Sequence, residues 1–166
     1  MENYDWSRFV LKIPVKSTIQ QAFDAWNSPA ALESWFLRRA DFTNEAGEQR
    51  AAHSPLEKGD EFSWYWHGFT DESAEHGEIL ATNGHDYLQF LFGKAGIVTV
   101  RISAAEGSTI VELQQESIPL DETSRVNYYI GCSNGWTFYL ANLKSLLEGG
   151  LDLRNKNVAL QQVVNS

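Results

Sequence analysis

Aromatic side chains are the residues of this sequence whose types and spacing point most clearly to a chemical role. In segments 61–67 and 87–92 they recur at every second position, which places them on one face of a strand. If the sheet curves so that these faces line a pocket, the pocket would bind apolar molecules, with a few polar groups to orient the ligand. The same rings also suit a hydrophobic core, because each buries a large area, and both interpretations stay open. The candidate ligand-binding residues are Phe36, Trp64, Trp66, Phe90, Phe92, Tyr129 and Trp136.

Two glycines in a predicted long helix bear on the same choice. The segment 124–149 has the apolar spacing of an amphipathic helix, yet it contains Gly131 and Gly135, and it ends at Gly149 as a left-handed cap would. Each internal glycine costs the helix about 0.5–1 kcal/mol relative to alanine. Either a close approach of helix and sheet or space for a ligand would offset that cost. The apolar stripe is Val126, Tyr129, Cys132, Trp136, Leu140, Leu143 and Leu147.

The titratable residues give weaker evidence for a functional site than the aromatic residues do. Glu78 and Arg101 lie on predicted strands, and they would orient a ligand or serve as an acid/base pair if they pointed inward, or be surface charges if they pointed outward. His67 and His76 flank an acidic turn without a recognised metal-ligand spacing, so we expect a solvated turn and no metal site. No phosphate loop, nucleophile elbow or Ser–His–Asp arrangement is visible. We therefore assign no catalytic residue and expect no cofactor.

The overall composition restricts the class of partner. The 166 residues include 22 acidic and 13 basic side chains, for a net charge of −9, and this argues against a nucleic acid or an anionic membrane surface. Cys132 is the single cysteine, so no internal disulfide forms, and its place on the apolar stripe predicts a buried core thiol. No apolar run approaches the roughly 20 residues of a membrane span. With no visible signal peptide, we expect a cytoplasmic protein.

The first part of the chain reads as one strand followed by two short helices. Residues 7–15 alternate in polarity, and Pro14 predicts a strand end or a sheet edge. Ser17 or Thr18 can cap the next helix. Pro29 fits the first turn of a second helix.

A long polar stretch then precedes a run of strands. Residues 43–59 are punctuated by glycine, and we expect a loop that is either a lid or a disordered excursion. The Asn83–Gly84 pair predicts a two-residue hairpin turn. Short connections imply an antiparallel meander, because parallel strands need long crossovers. The predicted strands are 61–67, 75–82, 87–92, 97–103 and 109–116.

This order of elements predicts an α+β fold. One strand, two short helices, five strands and a long helix are most economically packed as a curved antiparallel sheet wrapped around the C-terminal helix. We expect a single domain over residues 1–166 with a core of about 8–149. The tail, 150–166, either docks on that core or stays mobile.

Several motifs, taken in order, resemble a known family. They are FVLKIPVKSTIQQAFDAWNSPAALESWF near the N-terminus, GDEFSWYWHG and HGEILATNGHDYLQF in the middle, and GWTFYLANLKSLLEGG in the last helix. Together they resemble the START-like (SRPBCC, helix-grip) superfamily, and within it the activator of heat-shock-protein-90 ATPase homologue family. The resemblance implies a helix-grip fold with a cavity between sheet and helix. It also implies binding of apolar small molecules or lipids, with chaperone ATPase stimulation in one branch and cyclases or aromatases in others.

We therefore predict binding of an apolar or amphipathic small molecule or lipid between the sheet and the C-terminal helix. A co-chaperone that modulates a heat-shock-protein-90 ATPase is the alternative, and a cyclase or aromatase is the third candidate. Because the sequence shows no catalytic signature, binding is favoured over catalysis.

Overall fold

Seven antiparallel strands form one curved sheet in the computed structural model, which describes residues 4–160 and 162–164. The strand order is β1-β7-β6-β5-β4-β3-β2, so among the described strands β1 lies at an edge of the sheet and has β7 as its one neighbour. Pro14 lies on this edge, where a missing N–H is tolerated. The strands are β1 (Phe9–Val15), β2 (Arg39–Thr43), β3 (Glu61–Tyr65), β4 (Glu75–Thr82), β5 (Tyr87–Phe92), β6 (Ile97–Ala105) and β7 (Ser108–Glu116).

Two short helices follow β1, and both begin where the sequence predicts. Thr18 caps α1 (Ile19–Asp24), and its side chain and that of Gln21 form a reciprocal capping box. Helix α2 (Pro29–Trp35) has proline in its first turn, where no N–H is needed, and Ser28 caps it.

The C-terminal helix is three consecutive segments that run from Glu122 to Leu147. A helical turn, α3 (Glu122–Ser124), leads into a π-helical segment (Arg125–Gly131) and then into α4 (Cys132–Leu147). Gly149 follows with a φ of +79°, which is the left-handed cap expected from the sequence.

The C-terminal helix lies against the concave face of the sheet. Trp136, Leu140 and Leu143 are buried there, and Lys144 Nζ donates 2.7 Å to the carbonyl oxygen of Pro14 on β1. The apolar residues on the concave face of β5, β6 and β7 are buried as well, and the helix-grip architecture is confirmed. Those strand residues are Leu88, Phe90, Phe92, Val98, Val100, Ile102, Val111 and Leu113.

After Thr43, which ends β2, the segment 43–59 is a loop, as the sequence predicts, but the disordered alternative is wrong. Strand β2 was not predicted from the sequence; it pairs with β3. The segment itself packs on the body of the protein: Leu56 is buried, and Arg50 donates to the buried carboxylate of Asp60 at 2.8 and 2.9 Å. A buried ion pair with two hydrogen bonds holds such a loop in place.

Three further sequence predictions need correction. The strand expected to reach residue 67 ends at Tyr65. The hairpin after β4 is a longer loop, in which the side-chain oxygen of Asn83 accepts N–H groups from residues 85, 86 and 87. Val126 is 55% exposed, because the π-helical segment closes its hydrogen bonds over five residues and rotates this position off the apolar stripe.

The tail docks on the core through a buried polar cluster. The Arg154 guanidinium donates to the carbonyl oxygens of Glu33, Ser34 and Leu37 at 2.9–3.0 Å, at the end of α2. Asp152 binds the same guanidinium at 2.7 Å and, at 3.2 Å, accepts from the buried amide of Asn142 on α4. Cations favour helix C-termini because the last carbonyls are unpaired.

Across the described ranges, none of the helices combines the length and hydropathy that crossing a bilayer requires.

Candidate functional site

A cleft of about 330 Å³ opens between the C-terminal helix and the end of the sheet. The loop between β3 and β4 forms its outer wall, and α2 ends at its inner wall. Six aromatic side chains line it: Phe36, Trp66, Phe69, Phe92, Trp136 and Tyr139. The remaining lining residues are Ser73, Asn127, Gly131, Cys132 and Gly135.

Five of these six aromatic rings form one continuous surface. Phe36 is stacked on Trp136 with ring centroids 4.9 Å apart, and it meets Tyr139 edge-on at the same distance. Phe92 lies 5.6 Å from Trp136 on the sheet side, and Trp66 lies 5.8 Å from Phe36. These are the offset and edge-to-face geometries that aromatic pairs prefer. The surface therefore holds its shape through its own packing.

The structure brings four of the seven predicted site residues into the cleft: Phe36, Trp66, Phe92 and Trp136. Trp64 and Phe90 lie beneath that surface, edge-on to each other at 5.1 Å and fully buried.

Tyr129 belongs to a separate cluster away from the cleft, where its ring contacts Trp6 at 5.0 Å and Phe9 at 5.4 Å and its hydroxyl pairs with that of Tyr4. Helical spacing alone placed Tyr129 on the same stripe as Trp136, and the π-helical segment separates the two.

The helix glycines leave space beside the sheet. A Cβ added at Gly135 would meet no atom within 4 Å, and one added at Gly131 would meet only the Val126 carbonyl at an ordinary 3.5 Å. Both glycines line the cleft. A close approach between helix and sheet therefore does not explain why glycine occupies these two positions. The open space in front of them does.

Replacing Gly135 with alanine is expected to stabilise the protein. The new methyl group meets nothing, and alanine is favoured over glycine in a helix interior by about 0.5–1 kcal/mol. Thermal unfolding should shift upward by about 2–4 °C per kcal/mol for a chain of this size.

The control is Gly149→Ala at the end of the same helix, where the φ of +79° makes any side chain unfavourable. This variant should be less stable than wild type. Equal destabilisation by both substitutions would show that Gly135 is tightly packed.

A buried glutamine fixes the orientation of the Trp136 ring. Gln115 lies on β7 with its side chain fully buried, and its oxygen accepts the Trp136 indole N–H at 3.0 Å. Its nitrogen donates to the Ala95 carbonyl at 2.9 Å. The indole N–H therefore has its hydrogen-bond partner within the protein, and Trp136 presents the apolar part of its ring to the cleft.

Gln115→Met is expected to lower the free energy of unfolding by about 2–3 kcal/mol. Methionine keeps the length of the side chain but leaves the Trp136 N–H and the Ala95 carbonyl buried without partners, and each such group costs about 1–3 kcal/mol. Urea unfolding measures the change. Gln114→Met, on the opposite face of β7, should stay within about 0.5 kcal/mol of wild type, and similar losses at both positions would contradict this assignment.

The cleft is electrically neutral along its walls. None of its lining residues carries a charged side chain. Burial raises the pKa of Tyr139 to about 12, so its hydroxyl keeps its proton at neutral pH. Burial also raises the pKa of the Cys132 thiol. Cys132 is half-buried and lines the cleft, which corrects its expected place in the core.

The candidate acid/base pair lies on the wrong side of the sheet. Glu78 and Arg101 are exposed, and Arg101 lies 3.7 Å from the carboxylate of Glu112 on the outer surface. The hypothesis that these two residues orient a ligand or act as an acid/base pair in the cavity is therefore wrong. Among the described residues, no three His, Cys, Asp or Glu side chains are grouped closely enough to hold a metal ion.

The loop between β3 and β4 supplies lining residues that the sequence pattern missed. Phe69 stands at the rim of the cleft and is 58% exposed. An ion pair between Arg38 and Asp71 ties this loop to the start of β2, and Arg38 Nε also donates to the Trp66 carbonyl at 3.3 Å. A large apolar side chain held at the rim of an apolar cleft adds to its binding surface.

A family model described as "Activator of Hsp90 ATPase homolog 1-like protein" matches residues 16–148. No curated protein matches the chain.

Several solved structures share its fold. Protein SSP2350 from Staphylococcus saprophyticus is 19% identical with a TM-score of 0.66, over 89% of this chain and 96% of that one. The Aha1 dimer from Colwellia psychrerythraea is 13% identical with a TM-score of 0.66, over 86% and 97%. DynU16, described as a putative protein in the dynemicin biosynthetic locus, is 14% identical with a TM-score of 0.68, over 90% of this chain and 50% of that one. At these identities the likeness shows the fold alone.

Proposed function

The chain belongs to the activator of Hsp90 ATPase homolog 1-like family, and from that premise we propose that its aromatic cleft binds an apolar or amphipathic small molecule or lipid. The observation that carries this proposal is the open space in front of Gly131 and Gly135, bounded by six aromatic side chains. A glycine that costs the helix stability and faces empty space is better explained by a guest than by packing.

The energetics favour binding of an apolar group. Burial of apolar surface contributes about 25 cal/mol per Å², and a cleft of about 330 Å³ lies at the lower end of the range found for small-molecule sites. Because the walls are held in place by ring stacking and by the Gln115 hydrogen bond, little ordering is needed when a ligand enters.

Native mass spectrometry tests the proposal on protein purified from its own cells without denaturation. We expect a second, heavier species that reverts to the bare chain on denaturation and releases an apolar compound into organic solvent. Absence of any bound compound, together with no uptake of added apolar probes, would contradict the proposal.

Modulation of a chaperone ATPase is the second candidate function, and it rests on the family to which the chain belongs. It is tested by measuring ATP turnover of the heat-shock-protein-90 homologue from the same organism with and without this protein. A change in turnover with co-elution would support it, and neither effect would remove it.

A cyclase or aromatase activity is not supported by the acid/base pair that the sequence suggested for it. Glu78 and Arg101 are exposed on the outer face of the sheet, and the likeness to DynU16 at 14% identity carries no reaction with it. We therefore propose binding rather than catalysis for this cleft.

A further inference from the structure

We infer that the cleft is selective for an uncharged aromatic compound with a hydrogen-bond acceptor, and that the Tyr139 hydroxyl donates to that acceptor. The inference rests on the proposed function, because it names the class of ligand that the same cleft takes. Three observations support it: the aromatic side chains that line the cleft, the absence of charged side chains among the lining residues, and the Tyr139 hydroxyl, which has no hydrogen-bond partner.

The wall matches flat rings better than flexible chains. Phe36, Trp136 and Tyr139 form a stacked and edge-to-face set at the inner end, with centroids 4.9 Å apart. An added aromatic ring continues this pattern, and such ring pairs gain stability beyond the area they bury. A flexible acyl chain gains only from burial and loses more rotational freedom on binding.

The charge of the wall disfavours an anionic ligand. No lining residue is a lysine, arginine or histidine. Arg38, on the β3–β4 side, is paired with Asp71 and borders a neighbouring groove. Arg154, whose charge reaches Tyr139, is already bound by Asp152 and by carbonyl oxygens at the end of α2. A carboxylate drawn into this cleft would lose its hydration without gaining a partner.

Among the residues that line the cleft, Tyr139 is the buried one whose polar group has no hydrogen-bond partner. Its side chain lines the cleft, it is 7% exposed, and its hydroxyl makes no hydrogen bond to any residue in the described part of the chain. The oxygen is not among the buried side-chain atoms that are both unpaired and sealed from solvent, so it keeps some accessible surface, as expected of a hydroxyl that faces the cleft its side chain lines.

Like any tyrosine at neutral pH, Tyr139 keeps the proton on its hydroxyl, and burial raises the pKa further, to about 12. The group is therefore available as a donor, and a ligand that supplies an acceptor satisfies it.

The other polar groups of the inner wall are engaged. The Trp136 indole N–H is bound to Gln115, and the Cys132 thiol, a weak donor, points back to the Asn127 carbonyl at 3.9 Å. On this wall, the Tyr139 hydroxyl is therefore the donor that can distinguish a ligand with a hydrogen-bond acceptor from one without.

Titration calorimetry with three matched naphthalenes tests the inference: 2-acetylnaphthalene, 2-ethylnaphthalene and 2-naphthoate. The variants are Tyr139→Phe and, as a matched control on the same helix, Tyr128→Phe, which lies outside the cleft. Because an ethyl group is more apolar than an acetyl group, the two affinities are compared as a ratio. Thermal unfolding checks that both variants fold, and Tyr139→Phe is expected to do so because it removes no hydrogen bond.

We expect the acetyl-to-ethyl affinity ratio to fall about fivefold in Tyr139→Phe and to stay within about twofold of wild type in Tyr128→Phe. We also expect 2-naphthoate to bind wild type at least tenfold more weakly than 2-acetylnaphthalene. A ratio unchanged in Tyr139→Phe, or a carboxylate that binds as well as the ketone, would overturn the inference.

The outcomes separate this inference from the proposed function. If 1-dodecanol, an uncharged flexible chain, binds and the naphthalenes do not, the cleft is a lipid site, so the proposed function stands and the aromatic selectivity fails. If neither 1-dodecanol nor any naphthalene binds, both fail.

Discussion

Gly135→Trp is expected to weaken binding of 2-ethylnaphthalene at least tenfold while the protein stays folded. A side chain at this position enters space in which a Cβ meets no atom within 4 Å, so the indole occupies the cleft rather than the core. A tenfold loss corresponds to about 1.4 kcal/mol, which about 55 Å² of lost apolar contact supplies at 25 cal/mol per Å². Titration calorimetry measures the affinity, and circular dichroism confirms that the helix is retained.

The matched control for this substitution is Asn134→Trp. Asn134 is the preceding residue on the same helix and is exposed, so its indole projects into solvent, and the affinity should stay within about twofold of wild type. Equal binding by wild type and Gly135→Trp would show that the ligand is held elsewhere. A large loss with Asn134→Trp as well would mean that added bulk disturbs the helix in general.

Arg154→Met is expected to lower the free energy of unfolding by about 2–4 kcal/mol. The Arg154 side chain is 2% exposed and donates to three carbonyl oxygens at the end of α2 as well as to Asp152. Methionine keeps much of the apolar stem but leaves those acceptors without donors, and removing one partner of a buried ion pair is strongly destabilising. The midpoint of urea unfolding reports the change.

Lys156→Met provides the comparison, because Lys156 pairs with the same carboxylate at 2.9 Å but is 52% exposed. Exposed ion pairs are worth about 0–1 kcal/mol, so this variant should unfold close to wild type. If the two variants lose similar stability, the tail is held by general charge attraction rather than by the hydrogen bonds to α2.

The parts of the fold that could be predicted are those with a regular period or a local signal. Alternation in β5 and β7 follows from one buried face. Thr18 and Pro29 mark helix starts because their chemistry acts within one turn. Such signals depend on neighbours in sequence, so a single chain suffices to find them.

The features that were missed depend on partners distant in sequence. Strand β2 is five residues long, and it is stabilised by its pairing with β3, which lies about 20 residues further on. Arg154 is a residue type usually found at the surface, and it is buried here because its guanidinium donates to the carbonyls at the end of α2, with the half-buried Asp152 as its counter-ion. Nothing in their immediate neighbourhood distinguishes them from a solvated tail.

The candidate site was predicted in part for the same reason. Phe92 and Trp136 follow from strand and helix periods, whereas Phe69 sits in a loop that has no period. Tyr139 carried a usable signal, since it lies three residues after Trp136 and four after Gly135 on one helix face. Tyr129 was wrongly assigned to the cleft because the prediction assumed α-helical spacing throughout, whereas residues 125–131 are π-helical.

The most direct test of the account is an NMR titration of the tryptophan indole N–H signals with 2-ethylnaphthalene. Trp66 and Trp136 line the cleft, whereas Trp6 lies in the separate cluster with Tyr129. We predict saturable shifts of the Trp66 and Trp136 signals with Trp6 unmoved, and loss of these shifts in Gly135→Trp. Signals from the two cleft tryptophans that stay still at saturating probe, or that move no more than Trp6, would contradict ligand binding in this cleft.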